Sequence, residues 1–169
     1  PAVRVCAQYD DPVDGHVGAM QPVYSDHYSS DGLTIVGVHP PPNILAAALP
    51  GIGASHRARI RRIRGLASFG GMVHDEGGGS VRPGPGREPV LWYRMAPRDL
   101  GRVRRLITVL GEIAFASGAE TVFPPVFGVS GIRTRKELRR LEHEPMDPRR
   151  IECMAFHPLG SARMTADER

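Results

Sequence analysis

Apolar positions recur with two periods along this chain, and the switches between them mark out strands and helices. The longest helical pattern covers 97–117. Leu100, Val103, Leu106, Ile107, Leu110, Ile113 and Ala114 follow three-and-four spacing and form one apolar stripe. Pro97 suits a first helical turn, Asp99 suits the positive end of the helix dipole, and Gly118 suits the stop. Shorter helices are predicted over 44–49, with Asn43 as N-cap, and over 55–64, with Ile60 and Ile63 on one face and arginines on the other. A third is predicted from the Thr134-x-x-Glu137 capping box to His143. Strand-like runs occupy 3–8, 21–28, 33–39, 66–75, 89–95, 121–123 and 151–156. Asp31-Gly32 between the second and third predicts a hairpin. The runs 66–75 and 89–95 read as another strand pair, joined by a long flexible connection through Glu76-Gly-Gly-Gly-Ser80 and Arg82-Pro-Gly-Pro-Gly86. The order of elements predicts an α+β fold, a mainly antiparallel sheet with helices packed on one face. No internal repeat or linker divides the chain, so 1–169 is expected to be a single domain.

Composition adds limits to this picture. Hydrophobic residues make up 41% and charged residues 24%, ordinary for a folded domain, while 20 glycines and 16 prolines predict many turns. No run approaches the roughly 18–20 apolar residues of a membrane span. The opening Pro1-Ala-Val-Arg-Val5 lacks the pattern of a signal peptide, which predicts a cytoplasmic protein, and the missing initiator methionine suggests an internal piece of a longer chain. Cys6 and Cys153 form no CxxC and read as reduced, buried thiols. Net charge is +4, and of the 22 basic residues only Lys136 is a lysine. The arginines cluster at 57–64, 98–105 and 133–140, which reads as solvated helix faces. No aromatic residues interleave with them to stack bases, so no nucleic-acid partner is expected.

Candidate chemistry is sparse. The glycine-rich stretch matches neither GxxxxGK[ST] nor GxGxxG and reads as a hairpin loop rather than a phosphate cradle. Seven histidines show no HxxxH or HExxH spacing, and the extended trio His74-Asp75-Glu76 points to alternate faces, so no metal site is expected. No GxSxG elbow supports a hydrolase. His157 stands out for its neighbours on the C-terminal side. Pro158 keeps it extended, and Gly160 lets the backbone approach a ligand closely. A strand that ends this way presents an imidazole at the rim of a site. On the residues alone, a structural role for this lone histidine stands alongside a catalytic one.

The run His157-Pro158-Leu159-Gly160-Ser161 followed by Arg163-Met164 resembles the histidine motif of the glucose–methanol–choline (GMC) flavoprotein oxidoreductases, most of all the cholesterol oxidase and long-chain alcohol oxidase branch. A looser likeness extends over Phe69 to Ser80, Trp92-Tyr93-Arg94-Met95 with Asp99, and Ser117-Gly118-Ala119-Glu120. The resemblance implies a partial substrate domain of an FAD-dependent enzyme acting on CH–OH groups. It implies that His157 accepts the alcohol proton while hydride moves to flavin N5, with Pro158, Gly160 and Ser161 close to the cofactor. It also implies two partners, an FAD-binding domain of the parent protein and a small apolar alcohol. No dinucleotide fingerprint occurs here, and the segment with the family's second catalytic His or Asn would follow Arg169. The chain is therefore expected to be truncated on both sides and unable to bind FAD tightly or turn over an alcohol alone. The competing reading is a non-catalytic basic α+β binding module that contacts an acidic partner.

Overall fold

The computed structural model describes residues 1–155. Its fold is α+β, as the pattern predicts. The strands β1 (Ala2–Gln8), β2 (Tyr24–Ser25), β3 (Leu33–Gly37), β4 (Leu66–Val73) and β7 (Thr121–Phe123) form a sheet in the order β2-β3-β4-β1-β7. Every neighbouring pair is antiparallel. Two further strands, β5 (Gly78–Pro83) and β6 (Pro89–Arg94), pair only with each other among the described residues. The helices are α1 (Pro42–Ala47), α2 (Ala54–Ile60), α3 (Pro97–Ala116) and α4 (Arg135–His143).

Strand alternation sends Val3, Val5, Ala7, Leu33 and Val73 to one face, where they meet Val103, Leu106, Ile107 and Leu110 of α3. The predicted stripe of α3 is therefore the lid of the main core. Gly71 sets how closely the helix approaches. A Cβ there would stand 2.6 Å from Leu106 Cδ1 and 2.9 Å from the Thr34 carbonyl oxygen. Gly71→Ala is expected to lower stability by about 1–3 kcal/mol through overpacking, read as a drop in the urea midpoint at constant slope. Helix α4 lies against α3 with Leu138 fully buried over Gly111. The Thr134 capping box forms as predicted, with Glu137 N–H donating to Thr134 Oγ1 at 3.2 Å. On the other face of the sheet a smaller cluster joins Cys6, Leu66 and Phe123 to Leu45 and Leu49 at α1. Burial pushes the Cys6 thiol up to about 11, so it stays protonated at neutral pH.

Several boundaries differ from those read along the sequence. The run 66–75 does not pair with 89–95. Strand β4 is central, with β1 on one edge and β3 on the other, so neither edge is free. The partner of β6 is the glycine-rich stretch itself, expected to be a loop. Gly79 stands opposite Tyr93, and a Cβ at Gly79 would collide with the Trp92 carbonyl oxygen. Of 21–28 only Tyr24–Ser25 is strand. Helix α1 starts at Pro42 with Pro41 as its N-cap, two residues ahead of the expected cap Asn43. Helix α2 stops at Ile60, and 63–65 form a 3-10 turn. Within 151–155 the expected last strand is reduced to two isolated bridges, Val126↔Ile151 and Ala2↔Met154. Strand β7 already occupies the free edge of β1 from Cys6 to Gln8, which leaves only the Ala2 end available.

Candidate functional site

His157, Pro158, Gly160 and Ser161 lie outside the described residues. The structure does show how the segment immediately before them is held. Phe127 N–H donates to the Arg150 carbonyl at 2.7 Å, and Glu152 N–H to the Pro125 carbonyl at 2.9 Å. Met154 and Ala2 exchange both backbone hydrogen bonds, at 2.8 and 2.9 Å. The approach to His157 is thus fastened to the first residues of β1, whose other edge carries Met72 opposite Ala2. The described chain therefore ends along the outer edge of β1, beyond the end of β7.

Two carboxylates organise the neighbouring end of β4, and sequence reasoning had given a site role to neither. Asp75, just past β4, accepts a hydrogen bond from the Tyr93 hydroxyl at 2.9 Å. Burial raises the Tyr93 phenol, and the Asp75 hydrogen bond and the charges of Asp75, Asp99 and Cys153 push it further the same way. Tyr93 is therefore a neutral hydrogen-bond donor across the physiological range. Asp99 has no exposed surface. Its carboxylate accepts the backbone N–H groups of Glu76 at 2.9 Å, Gly77 at 2.7 Å and Ala96 at 3.2 Å. Arg102 stands 3.7 Å away and also bonds Glu76 at 3.1 Å. Burial alone would raise the Asp99 carboxyl, but the three N–H donors and the Arg102 guanidinium outweigh it and hold the carboxyl below the usual range. Asp99 does sit in the first turn of α3, where the helix dipole favours an acid. Its larger role, tying the β4–β5 turn to that helix start, depends on residues distant in sequence.

These contacts also test the glycine-rich stretch as a dinucleotide cradle. A cradle needs free backbone N–H groups aimed at phosphate. Here the Glu76 and Gly77 N–H groups are taken by Asp99, and Gly78 to Pro83 run as an extended strand whose N–H groups point alternately to opposite edges and do not converge on one anion. Residues 76–83 do not fit a pyrophosphate, as the missing motif already suggested. Among the described residues no group of three His, Cys, Asp or Glu side chains could hold a metal ion. His74, Asp75 and Glu76 diverge, with Asp75 held by Tyr93 and Glu76 by Arg98 and Arg102.

The arginine clusters are largely occupied within the fold. Arg62 reaches Glu120 at 3.1 Å and Asp10 at 3.5 Å, and Arg64 reaches Asp14 at 3.0 Å. Arg105 meets Glu142 at 3.5 Å, while Arg135 and Arg139 share Glu112 at 2.9 and 3.2 Å. Such exposed pairs add little stability, about 0–1 kcal/mol each, but they offset part of the positive charge of these faces. A groove of about 310 Å³ runs along α3 past Tyr28, Arg105, Val109 and Arg135, and it contains that shared Glu112. Beside the 152–154 segment, Arg4, Cys6, Phe123, Glu152 and Met154 enclose only about 10 Å³. Among the described residues no helix is long and apolar enough to cross a membrane.

No family model matches the chain. Two curated proteins of Mycobacterium tuberculosis, from strains CDC 1551 / Oshkosh and H37Rv, are each 33% identical to it over 169 residues, covering 99% of this chain and 27% of their own length. A protein of Sinorhizobium fredii (strain NBRC 101917 / NGR234) is 28% identical over 158 residues, covering 93% of this chain and 31% of its own length. This chain therefore spans between a quarter and a third of the length of the curated relatives it matches. All three relatives are named as uncharacterized GMC-type oxidoreductases, and this similarity, carried along nearly the whole chain, supports the GMC oxidoreductase family for it.

Proposed function

We propose that this chain is the substrate-domain segment of an FAD-dependent oxidoreductase that oxidises a CH–OH group. The observation that carries the reading is similarity to GMC-type oxidoreductases over 99% of the chain, the GMC-like histidine motif included in that span. FAD, when bound, supplies the hydride acceptor at its N5. His157 takes the hydroxyl proton as the carbinol C–H bond breaks, and the alcohol becomes an aldehyde or ketone. An imidazole suits this role because its ordinary pKa of about 6.5 lets it accept a proton near neutral pH. Pro158, Gly160 and Ser161 are the residues of this chain that would contact the flavin. The larger part of FAD binding belongs to an FAD-binding domain elsewhere in the parent protein. The substrate is a small apolar alcohol of the kind taken by the cholesterol oxidase and long-chain alcohol oxidase branch.

The fastening of Met154 to Ala2 supports this reading, because a proton acceptor needs a rigid approach. The competing basic binding module is weakened by the pairing of its arginines with carboxylates of the same fold. The test is anaerobic addition of sterols, long-chain alcohols and short polar alcohols to the full-length protein loaded with FAD. Bleaching of the oxidised flavin band by the apolar alcohols is the expected result. No bleaching by any alcohol would remove the proposed reaction, and bleaching only by polar alcohols would remove the substrate class.

A further inference from the structure

We propose that the β5–β6 hairpin is a docking element, covered in the parent polypeptide by a surface of that same polypeptide outside residues 1–169, apolar at its centre and acidic at its rim. The hairpin projects from the end of β4, and among the described residues no other strand pairs with it. Its register sets Val81 opposite Leu91 and Ser80 opposite Trp92. Alternation then puts Val81, Leu91 and Tyr93 on one face, with Arg82, Val90, Trp92 and Arg94 on the other. Leu91 is 70% exposed, Trp92 59%, Val81 58%, Val90 51% and Tyr93 49%. Val81, Leu91 and Tyr93 thus make an apolar patch on one face of the ribbon, while Val90 and Trp92 lie among arginines on the other, and exposed apolar patches mark interaction surfaces.

The energetics point the same way. A two-stranded ribbon with no third layer is marginally stable in water. This one is nevertheless tied firmly at its base, by Tyr93 to Asp75 at 2.9 Å and by Gly77 to Asp99 at 2.7 Å. The base fixes where the ribbon points, while its two strands keep apolar surface that water does not favour. Tryptophan, tyrosine and arginine are also the residues that most often carry binding energy at the centre of an interface. Within 78–94 the charged residues are Arg82, Arg87, Arg94 and Glu88, an excess of cations that calls for carboxylates on the covering surface.

The length of the relatives identifies the occupant. This chain matches only 27–31% of each of them, so in a protein of that size most of the polypeptide lies elsewhere. A surface on the same polypeptide is present at a high effective concentration, on the order of millimolar for a short flexible connection. It therefore covers the ribbon without the entropy cost of capturing a second molecule. The inference rests on the chain being a segment of a longer protein, and it is independent of what His157 does.

Amide hydrogen exchange of the full-length protein, measured at two concentrations tenfold apart, tests it. The expected result is protection across 78–94 that does not change with concentration. In Leu91→Asp, exchange should rise about 10- to 100-fold across the hairpin, the factor that corresponds to uncovering one leucine side chain. It should rise also in one segment outside 1–169, with molecular mass unchanged by light scattering. Open-chain exchange of 78–94 in the unsubstituted protein would overturn the proposal. Protection that disappears on dilution, together with a change from dimer to monomer, would overturn it in favour of a second copy. The unsubstituted protein decides between these outcomes even if the variant does not fold. Flavin reduction, measured separately, tests the oxidoreductase reading and leaves the exchange result unaffected.

Discussion

Flavin reduction in the full-length protein is expected to slow about 10²–10⁴-fold when His157 is replaced by Ala, the range typical of a lost general base. The physical reason is the proton. Hydride cannot leave a carbinol carbon without building positive charge on it unless the hydroxyl proton departs as the C=O bond forms. With no acceptor at position 157, water or a poorly placed group must take that proton. The loss should fall on the reduction step under substrate saturation, with substrate affinity little changed, because the interaction is made mainly in the transition state. Anaerobic stopped-flow spectroscopy separates the two quantities. For the unsubstituted protein the reduction rate should fall as pH drops through the imidazole pKa, since a protonated ring cannot accept. That limb should vanish in His157→Ala. A rate within a few-fold of the unsubstituted protein would take His157 out of the mechanism.

Asp99→Asn is expected to lower stability by about 2–4 kcal/mol. The carboxylate is fully buried and accepts three backbone N–H groups. An amide is isosteric, yet it offers one acceptor oxygen where the carboxylate offers two. Its NH₂ group would face a donor, leaving at least one buried N–H unpaired at a cost of about 1–3 kcal/mol. It also removes the charge that Arg102 faces at 3.7 Å. Urea denaturation at neutral pH should show the loss as a lower midpoint.

The same site predicts an acid dependence whose sign comes from the lowered Asp99 carboxyl. A carboxyl lowered on folding stabilises the fold above its unfolded pKa. That contribution is intact at neutral pH and is lost as pH falls below the ordinary aspartate value of 3.8 through the folded one. Asp99→Asn should therefore be less sensitive to acid over that window. An identical acid dependence in the two proteins would show that another group governs it.

Much of the architecture is visible in short windows of the chain. The stripe from Leu100 to Ala114 makes α3 legible because each turn repeats the apolar face. The capping box at Thr134 and Glu137 is legible because both partners lie within one turn. The motif at His157 is legible as a family resemblance, while its surroundings are not. The Asp75–Tyr93 contact spans the whole β5–β6 hairpin, and that hairpin was hidden because three glycines argue for a loop. Gly79 is strand all the same, since the approach of the Trp92 carbonyl leaves no room for a side chain.

Periodicity, prolines and capping residues thus place the helices and most of the strands, because these depend on torsions and contacts only a few residues apart. The choice of partner was left to the tertiary structure. It set β4 between β1 and β3 rather than against β6, and it gave the free edge of β1 first to β7 and then to Met154. It also drew Asp99 onto the β4–β5 turn. The reason is that a backbone edge has no identity in sequence. Any strand offers the same N–H and C=O groups, and burying the apolar faces of the whole sheet at once selects which edges meet.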